Sequence, residues 1–518
     1  MYFNNLDFAI LGIYCFGIIA IASYVSRQGN KQRSPEDYFL AGRSLPWWAI
    51  GASLIAANIS AEQIIGMSGQ GFVVGMAIAT YELTAAIALI VMAKYFLPLF
   101  LKKQIYTMPQ FLEQRFDKRV SLVLAFFWLA VYVFINLTSV LWLGSLAINT
   151  LTGLETFYGL VLLALLSLAY SLWGGLKAVA LTDIIQVVLL IFGGLAVSFI
   201  ALQKIGDGYI GNGLITVFQA VPDKFDMILS EDNPSYSDLP GVWVLLGGLW
   251  IAHFAYWGFN QYITQRALGA KSLPEAQKGV MFAAYLKLLM PLVIVLPGIC
   301  AAVLFPVLEK SDQAYPTMMT LLPNGLLGLT FAALVAAIVS SLASMTNSIS
   351  TIFTMDVYRS FRANSSDATL VSIGRTTSVI ALIIAVFAAT PLLGSLESAF
   401  QYIQNFTGFF TPGILVIFLV ALFWRKATTL SVLGAAFTSL LLSIFIFFYF
   451  PDFPFIHRMA VVFISSGLAC YLTVLIQGAG INTKAVDLST VNFSTSSSFN
   501  INTLVVIFFL AIIYISLW

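Results

Sequence analysis

The chain has 518 residues, of which 60% are hydrophobic and only 9% charged, with a formal net charge of +2. A soluble globular protein carries about 25% charged residues, so this composition excludes a water-facing surface and makes the bilayer the solvent for most of the chain. No basic patch is interleaved with aromatics, so nothing in the charge pattern points to a nucleic-acid partner.

A membrane-spanning helix needs about 20 mainly apolar residues. The first such run, near 6–26, has no basic leader and is long enough to span, so it reads as a retained helix rather than a signal peptide. Further runs lie near 46–71, 75–101, 120–149, 155–173, 179–205, 241–262, 279–305, 323–355, 370–393, 397–424, 428–450, 458–478 and 502–518. The expected fold class is therefore an all-α integral membrane protein with about 14 transmembrane helices. The acidic segment 206–240, with EDNPSY from Glu231, and the Ser/Thr-rich segment 485–500 read as polar loops. Cys15, Cys300 and Cys470 all sit inside apolar runs and read as packing residues rather than disulfides or metal ligands.

With fourteen spans the connecting segments alternate sides. Of the 25 Lys and Arg, only Lys204, Lys224, Lys310 and Arg458 fall on one side, and Lys94 and Lys287 lie inside apolar runs. All the others share the opposite side, in segments near 27–44, 102–119, 174–178, 263–278, 355–376, 424–427 and 479–500. Basic loops stay in the cytoplasm, so a multi-pass protein of the cell membrane with both termini outside is expected.

Two spans carry polar residues that lipid disfavours: AANISAEQ from Ala56 and HFAYWGFNQ from His253. They open the second and seventh runs. Interrupted helices at corresponding places in two halves point to a transporter's central site. The spacing suits a first flanking helix and cytoplasmic loop at 1–45, five-helix repeats at 46–205 and 241–424, an external loop at 206–240, and three flanking helices at 425–518.

A charge at mid-membrane costs about 2.5–3.5 kcal/mol on insertion scales, so it needs a partner, a wet cavity or a function. Glu62, Glu82, Lys94, Asp183 and Lys287 meet that description. Lys94 is placed to snorkel, and Asp183 sits near the cytoplasmic start of its run. Glu82 and Lys287 are deeper, and together they suit a neutral hydroxylated ligand, since a carboxylate accepts hydroxyl protons and an ammonium donates to hydroxyl oxygens. Asn58, Gln63, His253 and Gln404 offer further donors and acceptors. Tyr256 and Trp257 offer rings for an apolar sugar face, or simple helix packing. His253 reads equally as a helix–helix hydrogen-bonding residue, a ligand contact or a proton group. The run SSLASMTNS from Ser340 offers either close helix packing or oxygen ligands for a hard cation such as sodium. No triad, phosphate loop, HExxH or CxxC motif appears, so an enzyme reading has no support.

Four stretches carry a wider resemblance: EDYFLAGRSLPWWAIGASLIAANISAEQ from Glu36, GGLKAVALTDIIQ from Gly174, YWGFNQYITQR from Tyr256 and AAIVSSLASMTNS from Ala336. On them the chain resembles the sodium–solute symporters, close to the sodium/galactose and sodium/glucose type, over nearly its whole length. The resemblance implies a LeuT-type fold of two inverted five-helix repeats, with a sugar as substrate and sodium as coupling ion. It implies sugar contacts at Asn58, Gln63, Glu82, Lys287 and Gln404, with Tyr256 stacking on the sugar and closing the cytoplasmic side. Met67, Tyr81 and Phe400 become the outer lid. Sodium is expected at the carbonyls of Ala56, Ile59 and Ala337 and the hydroxyls of Ser340 and Ser341, with Asp183 a supporting acid. Two positions depart from the sodium/galactose type: His253 stands where an asparagine contacts sugar, and Ala85 where a serine does. Which sugar, or which other solute such as myo-inositol, sialic acid or proline, stays open.

Overall fold

The computed structural model describes residues 3–28, 41–103, 105, 107–171, 176–396 and 398–518. The openings of two quoted motifs, 36–40 and 174–175, and most of the first basic loop lie outside them. The main helices are α1 (Asn5–Gln28), α2 (Trp47–Asn58), α3 (Glu62–Val73), α4 (Met76–Lys103), α5 (Lys118–Thr152), α6 (Thr156–Ser171) and α7 (Leu176–Ile205). They continue as α8 (Leu249–Phe259), α9 (Gln261–Leu268), α10 (Leu273–Leu304), α11 (Leu326–Phe361) and α12 (Asp367–Leu393). The last four are α13 (Ala399–Phe423), α14 (Thr429–Tyr449), α15 (Phe455–Ile476) and α16 (Ser497–Ser516).

Among the described residues ten helices are long and apolar enough to cross a membrane, or eleven if the bent pair α2–α3 is one span. The expected fourteen is not reached by this measure. The other three apolar runs hold α1, the 16-residue α6 and the α8–α9 pair, the last interrupted at Asn260. Two loop expectations need correction. Segment 206–240 contains a helix, Ile210–Ala220, and α16 begins at Ser497 rather than after 500. Glycines in Ile210–Ala220 suggest a loop, yet Gly213 is what lets that helix lie on the end of α7, because a Cβ there would stand 2.0 Å from the Leu202 carbonyl oxygen.

The core that positions the site is the crossing of α2 with α10. A Cβ on Gly51 would lie 2.6 Å from the Gly279 carbonyl oxygen, and one on Gly279 would lie 2.7 Å from that of Trp47. Small residues allow this backbone approach, as expected where lipid supplies no hydrophobic drive between helices. Asn58 and Lys287 each lie about two turns further along their helices. The same crossing therefore delivers both to one level.

Helix α1 is tied to α11 by a charge. The wholly buried Asp7 accepts the Gly325 N–H (2.7 Å) and the Gly328 N–H (2.9 Å) on Oδ1. Gly325, with a φ of 86°, caps α11 with no side chain of its own. A carboxylate from another helix thus satisfies amides that a helix start leaves free and complements the helix dipole. Asp7→Ala is expected to cost about 1–2 kcal/mol, read as a lower thermal midpoint in detergent. Asp7→Asn is expected to lose less than half of that, since an amide oxygen still accepts.

Outside the spans, Asp312 holds the start of α13. Its Oδ2 accepts the Ala399 N–H at 2.8 Å, while Lys310 Nζ donates to the carbonyls of Gly394 (2.7 Å) and Leu396 (2.8 Å). Burial pushes the Asp312 carboxyl from 3.8 up to about 7. An acid raised on folding binds more protons in the folded state. Its contribution is full below about pH 4 and is lost as pH rises through 7. The thermal midpoint is expected to fall between pH 5 and pH 8, and to fall less steeply in Asp312→Asn.

Candidate functional site

The break between α2 and α3 creates the site. Ile59 takes a ψ of 92°, and the two helices meet at 62°. In an unbroken helix the Ser60 amide would bond the Ala56 carbonyl, but here it donates to Gln63 Oε1 at 3.3 Å. The Ala56 carbonyl is thereby released from its helical partner. The second break differs from the expectation of a disturbed stretch from His253. Helix α8 runs unbroken through Phe259, and the chain turns only at Asn260, whose φ and ψ are −74° and 126°.

Beside the first break lies a partly open cavity of about 110 Å³. Asn58, Gln63, Glu82, His253, Tyr256, Trp257, Lys287 and Gln404 all line this space, as do Met67, Tyr81 and Phe400. Lys287 is 1% exposed, and its Nζ donates to Glu82 Oε2 at 2.6 Å and to Asn58 Oδ1. The ammonium also stands 5.0 Å from the centre of the Trp257 ring, a favourable place for a cation. Asn58 Nδ2 donates to the Tyr256 hydroxyl at 3.2 Å, which meets the Tyr262 hydroxyl at 2.8 Å. Tyr81 meets Phe400 edge-on, ring centres 5.4 Å apart. Glu82 and Lys287, expected as two separate ligand groups, are thus a buried ion pair whose remaining acceptors and donors face the cavity.

Ala56, Ile59, Ala337, Ser340 and Ser341 do not line the cavity. They lie on α2, at its end and on α11, two helices in contact. Asp183 of α7 sits behind them as a hub. It accepts from Ser53 Oγ (2.7 Å) and Ser340 Oγ (3.0 Å) and pairs with Arg266 (3.5 Å). Ser341 Oγ is buried with no hydrogen-bond partner among the described residues. Such an orphaned oxygen calls for an explanation, and an unfilled cation ligand is one.

Several residues of the site carried no assignment in sequence. Glu62 lines the cavity but enters the sequence reading only as a buried charge. Arg266 reads as a cation of the segment 263–278, yet it is 2% exposed on α9 and paired with Asp183. The quoted stretch from Tyr256 contains it, together with Tyr262 and Asn260, whose Oδ1 accepts from Tyr132 at 2.9 Å. Thr84, which contacts His253, gives no sequence signal, since helical threonines routinely bond their own backbone.

An all-helical, many-span membrane protein with a broken helix at a polar central cavity is a solute carrier. The chain belongs to the sodium:solute symporter family, whose model matches residues 38–441. It is 47% identical to the sodium/glucose cotransporter of Vibrio parahaemolyticus, across 99% of this chain and 98% of that one. It is 33% identical to the sodium/myo-inositol cotransporter 2 of Mus musculus, across 85% and 69% of the two chains. The fold matches that of a Na+-coupled sialic acid symporter solved in a substrate-bound outward-open state, with a TM-score of 0.80 at 22% identity, covering 93% of this chain and 99% of that one. The protein is thus a multi-pass membrane transporter of LeuT-type fold rather than an enzyme, and sodium is its coupling ion.

Proposed function

We propose that this symporter imports a hexose-like sugar with sodium by alternating access. The observation that carries the reading is the cavity wall, which sets an ion pair, amides and the rings of Tyr256 and Trp257 around one central space. Polyol hydroxyls need donors and acceptors together, and a pyranose face needs an aromatic surface. The likeness to the Vibrio sodium/glucose cotransporter supports the same choice.

In this reading Asn58, Gln63, Glu82, Lys287 and Gln404 hold the sugar, and His253 and Trp257 complete the wall. Tyr256 closes the cytoplasmic side. Met67, Tyr81 and Phe400 form the outer lid. Sodium takes the carbonyls of Ala56, Ile59 and Ala337 with the hydroxyls of Ser340 and Ser341, supported by Asp183. Repeats at 46–205 and 241–424 rock about this centre, in the cell membrane, with both termini outside. One charge crossing about 100 mV releases roughly 2.3 kcal/mol, and a tenfold sodium gradient adds about 1.4 kcal/mol. Together these concentrate sugar a few hundredfold at one-to-one coupling.

The test is uptake into proteoliposomes under an inward sodium gradient, with labelled galactose and glucose beside myo-inositol, sialic acid and proline. Sodium-dependent accumulation of a hexose is expected. Accumulation of only another solute would overturn the sugar reading and leave the symport intact.

A further inference from the structure

The hydrogen bonds around His253 fix which of its ring nitrogens carries the hydrogen. Thr84 Oγ1 lies 2.6 Å from the Thr80 carbonyl oxygen and 2.7 Å from His253 Nε2. A carbonyl only accepts, so two oxygens this close need a hydrogen between them. Thr84 has one hydroxyl hydrogen, and the Thr80 carbonyl uses it. Thr84 Oγ1 must therefore accept from His253, and Nε2 carries the ring's N–H. In the neutral imidazole Nδ1 is then a bare acceptor. Among the described residues no group bonds Nδ1, although the side chain is 5% exposed and lines the central cavity.

We infer that His253 is a directional specificity residue, which admits a substrate only if it presents a hydroxyl hydrogen to Nδ1. The inference rests on the sugar reading above. Glu62, which lines the same cavity and whose side chain has no bonded partner among the described residues, adds acceptor character to this wall. Lys287 spends two of its three N–H groups on Asn58 and Glu82. Nδ1 and the Glu62 side chain thus offer acceptors on this wall, and a polyol supplies the hydrogens. An amide side chain at 253 would turn to donate or accept as needed. The locked imidazole cannot.

Deoxy and deoxyfluoro analogues read this directly, because fluorine keeps the size and weak acceptor character of a hydroxyl and removes its hydrogen. In the wild type, one ring position is expected where both the deoxy and the fluoro analogue compete with labelled sugar about tenfold or more weaker than the parent, the scale of an unmet buried acceptor. At that position His253→Asn is expected to regain the fluoro analogue while still discriminating against the deoxy one. Thr84→Val, which removes the acceptor that fixes the tautomer, is expected to narrow the same gap. The readout is a ratio of analogue to parent within each variant, so altered folding or expression does not move it. An unchanged fluoro-to-parent ratio in His253→Asn at every ring position overturns the inference while the sugar reading stands. A wild type that carries no hexose overturns both, and the first uptake measurement shows which has failed.

Discussion

Replacing Lys287 with methionine is expected to reduce sodium-driven uptake to background. The pair it forms with Glu82 lies almost wholly out of water, with side-chain exposures of 1% and 3% and a separation of 2.6 Å. Taking away one member leaves a carboxylate buried without a counter-charge, which costs about 3–5 kcal/mol. Asn58 Oδ1 loses its donor in the same step, and Asn58 is the link to the Tyr256 and Tyr262 hydroxyls. The damage therefore spreads from the ion pair to the tyrosine side of the cavity. The double variant Lys287→Met with Glu82→Leu separates stability from function. Removing both charges is expected to restore the thermal midpoint towards the wild type, as neutral replacements of buried pairs do. Uptake is expected to stay absent, because the donors and acceptors for the solute are gone. Uptake above about a tenth of wild type in the single variant, at matched membrane amounts, would remove the pair from the transport site.

The meeting of these residues was legible in sequence for one reason. A charge set in a long apolar run has no inexpensive alternative to a partner or a wet cavity, so Glu82 and Lys287 had to be accounted for. Which charge meets which was not legible, because separations of 205 and 229 residues carry no information on distance. The meeting of Asn58 with Lys287 is set by the Gly51–Gly279 crossing, and a glycine in sequence does not name the backbone it admits. Arg266 shows the opposite failure. Its place at the end of an apolar run suggests a solvated loop, while Asp183 and Ser53 hold it inside. The helix at Ile210–Ala220 was hidden because its glycines serve contact with α7 rather than chain reversal. The break at Asn58–Ala61 was visible because its polar residues cluster within a few positions. The tautomer of His253 depends on a hydroxyl one helix away and lies beyond any reading of sequence.

Ser341→Ala is expected to raise the sodium concentration for half-maximal uptake about tenfold, with sugar affinity at saturating sodium nearly unchanged. Sodium is a small hard cation that takes oxygen ligands, and each buried oxygen lost forfeits on the order of 1–1.5 kcal/mol. Of the proposed ligands, Ser341 Oγ is the hydroxyl with no other engagement, buried and without a partner among the described residues. Ser340 differs, since its hydroxyl hydrogen goes to Asp183 Oδ1 at 3.0 Å. Asp183→Asn should therefore act through charge rather than through a lost ligand. It leaves Arg266 as an unbalanced cation, 2% exposed, behind the proposed ion position. A repulsive charge in a poorly screened interior weakens sodium more than one missing hydroxyl does. The larger shift is accordingly expected in Asp183→Asn, and a partial return in the double variant Asp183→Asn with Arg266→Gln. Sodium curves that superimpose for wild type and Ser341→Ala would place the ion away from α11. A shift in Asp183→Asn that Arg266→Gln leaves untouched would show that the acid acts on sodium directly, not through its balance with the arginine.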